Sequence, residues 1–238
     1  MPIQETGTGD TRRRPIALGG ALITVVEPRK GHEVAYNRWY ERDHFYAGCM
    51  IGQWNLSGSR YVAIYWILAG KFGEWMQWGT AQVNWLHENE RMFAERDHVH
   101  TVMYKYRAQY EHADGVPVEL ALEHHSPYAV LIVGQPAEGV DLDAVDTWFG
   151  ARELPGVVGA EFTPVPLQGD APSDVPRMDA SNRFTQLWFV DEELHDVWSE
   201  RFASLGDDFA AAGLGELLWV APFRKTIAGT DTYTDQLW

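Results

Sequence analysis

Apolar and polar positions along the chain repeat one order of elements twice. Ala21–Glu27 is a near-continuous apolar run with β-branched residues, which suits a buried strand. Glu33–Tyr46 follows with helical spacing, preceded by Gly31 and stopped at Gly48. Strand character returns at Ser59–Leu68, a long helix is predicted across Gly73–Phe93, and alternation resumes at His98–Tyr110. The order then recurs. Tyr128–Gly134 reads as a strand, and Asp141–Phe149 as a helix with Asp141 and Asp143 favourably placed near its positive N-terminus. Val157–Thr163 and Arg183–Val190 read as strands. Asp191–Gly213 is one amphipathic helix with Leu194, Val197, Trp198, Phe202 and Leu205 on its stripe, and Gly215–Thr226 is a last strand.

Each half is thus βαββαβ, the ferredoxin-like order, in which two helices cover one face of an antiparallel sheet. The other sheet face must be buried. The expected fold is α+β: two tandem ferredoxin-like modules packed sheet to sheet as an α/β barrel within one chain. A flexible tail covers 1–17, a first module 18–112, a linker 113–127 and a second module 128–238. The Asp/Pro-rich stretch Pro164–Asn182 reads as a surface loop inside the second module. The first half leaves only Gly48–Tyr61 for its second strand and turn. Either that strand is very short or a loop near Gly58-Ser59-Arg60 is missing from the sequence. Ser59-Arg60-Tyr61 makes a poor hairpin turn, which favours the missing loop.

Composition narrows the class. With 238 residues, 45% hydrophobic and 22% charged, the chain has the make-up of a soluble globular protein, and its 11 Trp predict an aromatic-rich core or pocket. A net charge of −15 repels a phosphate backbone, so no nucleic-acid partner is expected. The lone Cys49 rules out an intrachain disulfide framework and fits a reducing cytoplasm. Arg12-Arg13-Arg14 before the apolar run 15–26 imitates a signal peptide, but Glu27-Pro28-Arg29-Lys30 follows where a small-residue cleavage site is needed. The run is also too short to cross a membrane. The expected partner is a small-molecule substrate, with a homodimer the expected assembly if there is one.

The tetrapeptide Glu-Arg-Asp-His occurs twice, at 41–44 and 95–98. The first copy lies within Trp39-Tyr40-Glu41-Arg42-Asp43-His44, which resembles the WYxxxH signature of the dimeric α/β-barrel superfamily in its EthD-like branch. The duplicated element order extends that resemblance over most of the chain. Relatives include cofactor-free monooxygenases, muconolactone isomerases, polyketide cyclases, aldoxime dehydratases and haem-binding chlorite dismutases, so fold fixes little about reaction. The resemblance implies a pocket between helices and sheet, with a His or Tyr as acid or base. The second half departs from the signature: Trp148-Phe149 matches Trp39-Tyr40 and Glu153 stands where His44 does. The first half is therefore expected to carry the chemistry.

His44 is the leading acid/base candidate, since imidazole gives and takes protons near neutral pH. Tyr40 shares its helix face, with Asn37 one turn earlier, and Asp43 is an orienting candidate. Period-two alternation puts His98, His100, Val102, Tyr104 and Tyr106 on one strand face, a floor too polar for plain core, with Asp97 beside His98 as its orienting partner. Trp66, Trp75 and Trp78 are candidate walls for an aromatic substrate, although Trp75, Trp78 and Trp85 also have core spacing along the long helix. Three His with nearby carboxylates invite a metal, and His98 or His100 could face a haem iron. No complete local ligand set exists, so neither metal nor organic cofactor is expected. His124-His125, in the linker, is expected to be solvated. The expected activity is acid/base chemistry of isomerase, cyclase, dehydratase or lyase type on an apolar aromatic or polyketide-like molecule. His44 or His98 removes a proton, and Tyr40 or Tyr104 donates to the resulting oxyanion. The alternatives are a monooxygenase, cofactor-free or using a metal or haem, and a non-catalytic small-molecule-binding barrel.

Overall fold

The computed structural model describes residues 16–40, 49–52, 60–111, 115–124, 126–165 and 183–225. The elements run β1 (Leu18–Pro28), α1 (Glu33–Trp39), β2 (Cys49–Gly52), β3 (Arg60–Leu68), α2 (Phe72–Glu88), β4 (Arg96–Glu111), then a 3₁₀ turn at Val118–Leu120. They continue with β5 (Tyr128–Pro136), α3 (Leu142–Gly150), β6 (Val158–Val165), β7 (Phe184–Val190), α4 (Leu194–Arg201), α5 (Leu205–Ala211) and β8 (Gly215–Lys225). The fold is α+β, and the strands close into an antiparallel barrel in the order β1-β3-β2-β8-β5-β7-β6-β4. No described helix is long and apolar enough to cross a membrane.

Strand alternation decides what lies inside. Ala21, Ile23 and Val25 of β1, Val62 and Ile64 of β3, Leu131 and Val133 of β5, Ala160 and Phe162 of β6, and Leu187 and Phe189 of β7 meet in one buried cluster. A fully buried aliphatic or aromatic side chain of this kind contributes about 2 kcal/mol. The residues between them face the helices. In the second half Val145 and Phe149 of α3, Leu194 of α4 and Leu205 and Phe209 of α5 pack on Val130, Ile132, Phe184 and Trp188. In the first half Tyr36 of α1 and the cap residue Tyr40 pack on Val26, Tyr61 and Ala63.

Several sequence expectations change. β2 is a four-residue strand, so the short-strand alternative accommodates the first half. The helix expected over Asp191–Gly213 is two helices, because the turn at 202–204 sends Phe202 inward (1% exposed) and lets α5 bury Phe209. Gly213, at φ 73°, ends α5 in a conformation other residues adopt at a cost. At α3 the Asp141 carboxylate accepts from the Ala144 N–H at 2.8 Å and caps the helix. α2 is the largest departure from a plain core helix. None of its residues is buried, and Trp78 and Trp85 are 53% and 44% exposed. They stand seven positions apart, on one helix face turned away from the sheet.

The segment after β4 enters the barrel. Val118 and Ala121 are buried in the interior cluster, and the Trp66 indole N–H donates to the Val118 carbonyl at 3.1 Å. Lys225 Nζ donates to the carbonyls of Leu122 and His124, tying the end of β8 to the same segment. His124 itself, expected to be solvated, pairs with Asp191 at 3.0 Å, while His125 lies outside the described residues.

The seam between β4 and β6 carries a buried polar cluster. A bulge at Arg107 breaks the register between Tyr106 and Ala108, and the guanidinium meets Glu161 at 2.7 Å, Asp143 at 2.8 Å and Asp146 at 2.5 Å. Tyr110 Oη lies 3.0 Å from both Asp146 Oδ1 and Glu161 Oε2, and Gln186 Nε2 donates to Tyr110 at 3.1 Å and to Glu161 at 2.7 Å. The Trp188 indole N–H donates to Gln186 at 2.9 Å. A phenol has one proton for two carboxylates. A proton on Glu161 Oε2, donated to Tyr110, satisfies every group. Glu161 is fully buried, and burial pushes its carboxyl up; Gln186 opposes, Asp146 raises it further and Arg107 opposes, leaving it at about 7.

Two outcomes are expected in denaturant titrations. Val118→Ala costs about 2 kcal/mol by leaving a cavity at the plugged end, while Leu120→Ala, at a half-exposed position, changes stability by less than about 0.5 kcal/mol. Because the folded Glu161 pKa lies above the unfolded value, its stabilisation is full below about pH 4.5 and is lost as pH rises towards 7. Glu161→Gln, which mimics the protonated acid, should flatten that slope and raise stability at pH 8 by on the order of 2 kcal/mol. An unchanged pH profile in this variant refutes the protonated carboxyl.

Candidate active site

The α1 face of the first half carries a packed aromatic cluster that includes a pair of hydrogen-bonded phenols. Tyr36 sits at the centre of it, with ring centroids 5.2 Å from Tyr61, 5.8 Å from Tyr40 and 5.6 Å from Phe93. The hydroxyls of Tyr40 and Tyr65 are hydrogen-bonded, and the Tyr65 ring lies 6.4 Å from Trp75 of α2. Tyr40 is 4% exposed and Asn37 fully buried, so both belong to this wall rather than to the outer helix surface. The seven-residue α1 with a cap at Tyr40 places them, since one helical turn separates 36/37 from 40.

His98 lies on the side of this cluster and not in the barrel interior, which corrects the single-face expectation for His98, His100, Tyr104 and Tyr106. The β1–β4 register shifts between Val25, opposite His100, and Val26, opposite His98. Val99 is the extra residue of a bulge and packs on the interior with His100, so the alternation reverses at that point. His98 therefore lies in a row with Val26 and Tyr61 on the helix side. Its Nδ1 lies 2.9 Å from Thr101 Oγ1, which is 2.7 Å from Thr24 Oγ1, and its Nε2 lies 3.3 Å from Arg96 Nη2. A guanidinium can only donate, so Nε2 accepts and the ring proton sits on Nδ1. The chain then runs His98 N–H to Thr101 O–H to Thr24. Nε2 is the ring nitrogen turned to Arg96. His98 and Tyr40 lie on the same face of the sheet as Val26.

His100, Tyr104 and Tyr106 do point inward. Tyr104 is fully buried; it donates to His100 Nε2 at 2.7 Å and accepts from Thr185 Oγ1 at 3.1 Å. Burial, then the charge of Arg183, lowers the His100 pKa to about 4, so the imidazole is neutral and Nε2 is free to accept. Burial likewise raises the Tyr104 phenol well above its ordinary value. The Trp219 ring lies 5.1 Å from His100, and Tyr106 packs on Phe162 at 6.0 Å.

The three tryptophans expected to wall a substrate come together. Trp66, Trp75 and Trp78, with Lys71 and Glu74, line an open groove of about 380 Å³ at the C-terminal end of β3. Tyr65 connects this groove to Tyr40 through its contacts with Trp75 and with the Tyr40 hydroxyl. Asp97 is exposed and paired with Arg29 at 3.5 Å. His44 and Asp43 lie outside the described residues. Among the described residues, no three His, Cys, Asp or Glu side chains cluster as a metal site.

Tyr65, Thr24 and Thr101 were not singled out by the sequence. They sit in runs whose β-branched and aromatic character reads as ordinary strand. Only the cross-strand register shows that they meet His98 and Tyr40.

No family model matches the chain, and no curated protein sequence matches it. A solved structure titled as a study of an anthrone oxidase-like protein superposes with a TM-score of 0.51 at 10% identity, over 90% of this chain and 97% of that one. At that identity the likeness concerns the fold, an α+β barrel of the same general kind.

Proposed function

We propose that the chain is a small-molecule enzyme whose site is the α1 cluster, with His98 as general base and Tyr40, backed by Tyr65, as oxyanion donor. The reading rests on one observation: a directed His98–Thr101–Thr24 chain shares a sheet face with a phenol pair, beneath a wall of aromatic rings. Nε2 abstracts a proton from a carbon beside a carbonyl, or from a phenol. A hydroxyl that accepts from a neighbouring phenol is a stronger donor through its own proton, which suits Tyr40 and Tyr65 to the developing enolate oxygen. The tryptophan groove leading to Tyr65 fits a flat apolar substrate. His44, four positions after Tyr40 in the sequence, is the second acid/base candidate. Two ferredoxin-like modules in tandem, EthD-like in the first, remain the architecture proposed for this site. It is supported by the matching neighbour orders β4-β1-β3-β2 and β8-β5-β7-β6 within the barrel.

The enolate has two fates. Reprotonation elsewhere gives an isomerase or cyclase. The likeness to an anthrone oxidase-like protein favours oxidation as a second reading, in which a CH₂ beside the aryl ketone system becomes C=O while O₂ takes up the four electrons and one oxygen leaves as water. With anthrone as the probe, substrate loss and O₂ uptake followed together should separate the two. His98→Gln should slow turnover about 100-fold and Tyr40→Phe about tenfold, with unchanged circular dichroism. Wild-type rates in both variants defeat the assignment. Substrate loss without O₂ uptake defeats the oxidase reading.

A further inference from the structure

We infer that the barrel end opposite the buried linker is a binding site for an aromatic molecule bearing one negative charge, a carboxylate or a phenolate, separate from the α1 cluster. Strand direction places its residues together. β4, β7 and β8 run the same way around the barrel, and His100, Arg183 and Trp219 stand at or near their starts. Val118 and Ala121 fill the other end. Exposure falls inward from Arg183 and Trp219, both partly accessible, to His100 at 7%, Thr185 at 1% and Tyr104 at 0%. The site is therefore a graded polar entry into an otherwise apolar interior.

Hydrogen-bond accounting shows what it lacks. Thr185 donates to Tyr104 and Tyr104 to His100 Nε2. The neutral imidazole then carries its proton on Nδ1, and that N–H has no partner among the described residues. Arg183 makes no ion pair or hydrogen bond among the described residues, yet its charge acts on both His100 and Tyr104. A guanidinium without an ion pair among the described residues, beside an imidazole Nδ1 without a hydrogen bond there and an indole ring 5.1 Å from that imidazole, suits a planar anion. A carboxylate can engage the guanidinium by two parallel bonds and take the Nδ1 proton as a third, while its ring lies against Trp219. Neither the acid/base reading of the α1 cluster nor the tryptophan groove requires these residues.

Calorimetric titration with benzoate, benzamide and acetate tests the site. Benzoate should bind the intact protein about tenfold or more tightly than benzamide, which lacks the charge, and than acetate, which lacks the ring. Arg183→Met should erase the benzoate–benzamide difference without shifting the melting temperature. Trp219→Leu, as a second variant, should weaken benzoate towards acetate. His98→Gln and Tyr40→Phe should leave benzoate binding unchanged, which separates this site from the proposed reaction. Absence of benzoate binding at millimolar concentration, equal binding of benzoate and benzamide, equal binding of benzoate and acetate, or an unaffected Arg183→Met protein overturns the inference.

Discussion

Closure of the antiparallel sheet is the constraint on which everything else here depends. A strand edge left open exposes unpaired N–H and C=O groups, and each half alone would end in two such edges. The two seams that remove them are unequal. β2 meets β8 only over Met50–Gly52 against Phe223–Lys225, whereas β4 meets β6 from Met103 to Glu111. The long seam also carries Arg107, Glu161, Tyr110 and Gln186, a cluster that ties β4 of the first half to α3, β6 and β7 of the second. β4 can do this because it is 16 residues long, its first part pairing with β1 and its second with β6.

Closure also sorts the chemistry. Once the sheet is a barrel, each strand has an inner face that must be filled and an outer face that helices cover. The bulge at Val99 is where this matters most. It sends His98 to the helix side with Thr101 and Thr24, and keeps His100 inside with Tyr104 and Thr185. Two histidines separated by one residue thus serve two environments. One stands over a hydroxyl chain beneath the α1 aromatics. The other is buried, neutral and near an arginine. Burial and the nearby charge of Arg183 hold His100 neutral on the inner face.

Much of this was legible from the residues. Asp141 marked a cap, Gly213 a helix end, and apolar alternation most of the strands, because caps, left-handed turns and strand periodicity are local properties of the backbone. Trp66, Trp75 and Trp78 were recognisable as companions, although the strand–helix turn that gathers them was not. Three features escaped. The split of the last helix depends on Phe202 finding the core, the exposure of Trp78 and Trp85 on how α2 sits over β3, and the role of Val118 and Ala121 on the barrel having an end to fill. None of these leaves a local signal, since each concerns what a residue meets at long range.

The sequence by itself determined most of the order of elements, the α+β class and the aromatic and histidine-rich stretches where chemistry is concentrated. These follow from periodicity and residue type, which operate over one or two turns of chain. The tertiary structure alone decided which face each of those residues serves. A single inserted residue at Val99 reverses alternation, and cross-strand register sets whether a hydroxyl such as Thr185 or Tyr65 stands beside an imidazole, a phenol or nothing. Hydrogen bonds act over about 3 Å, and only closure of the barrel brings residue 104, itself bonded to residue 100, to within that distance of residue 185.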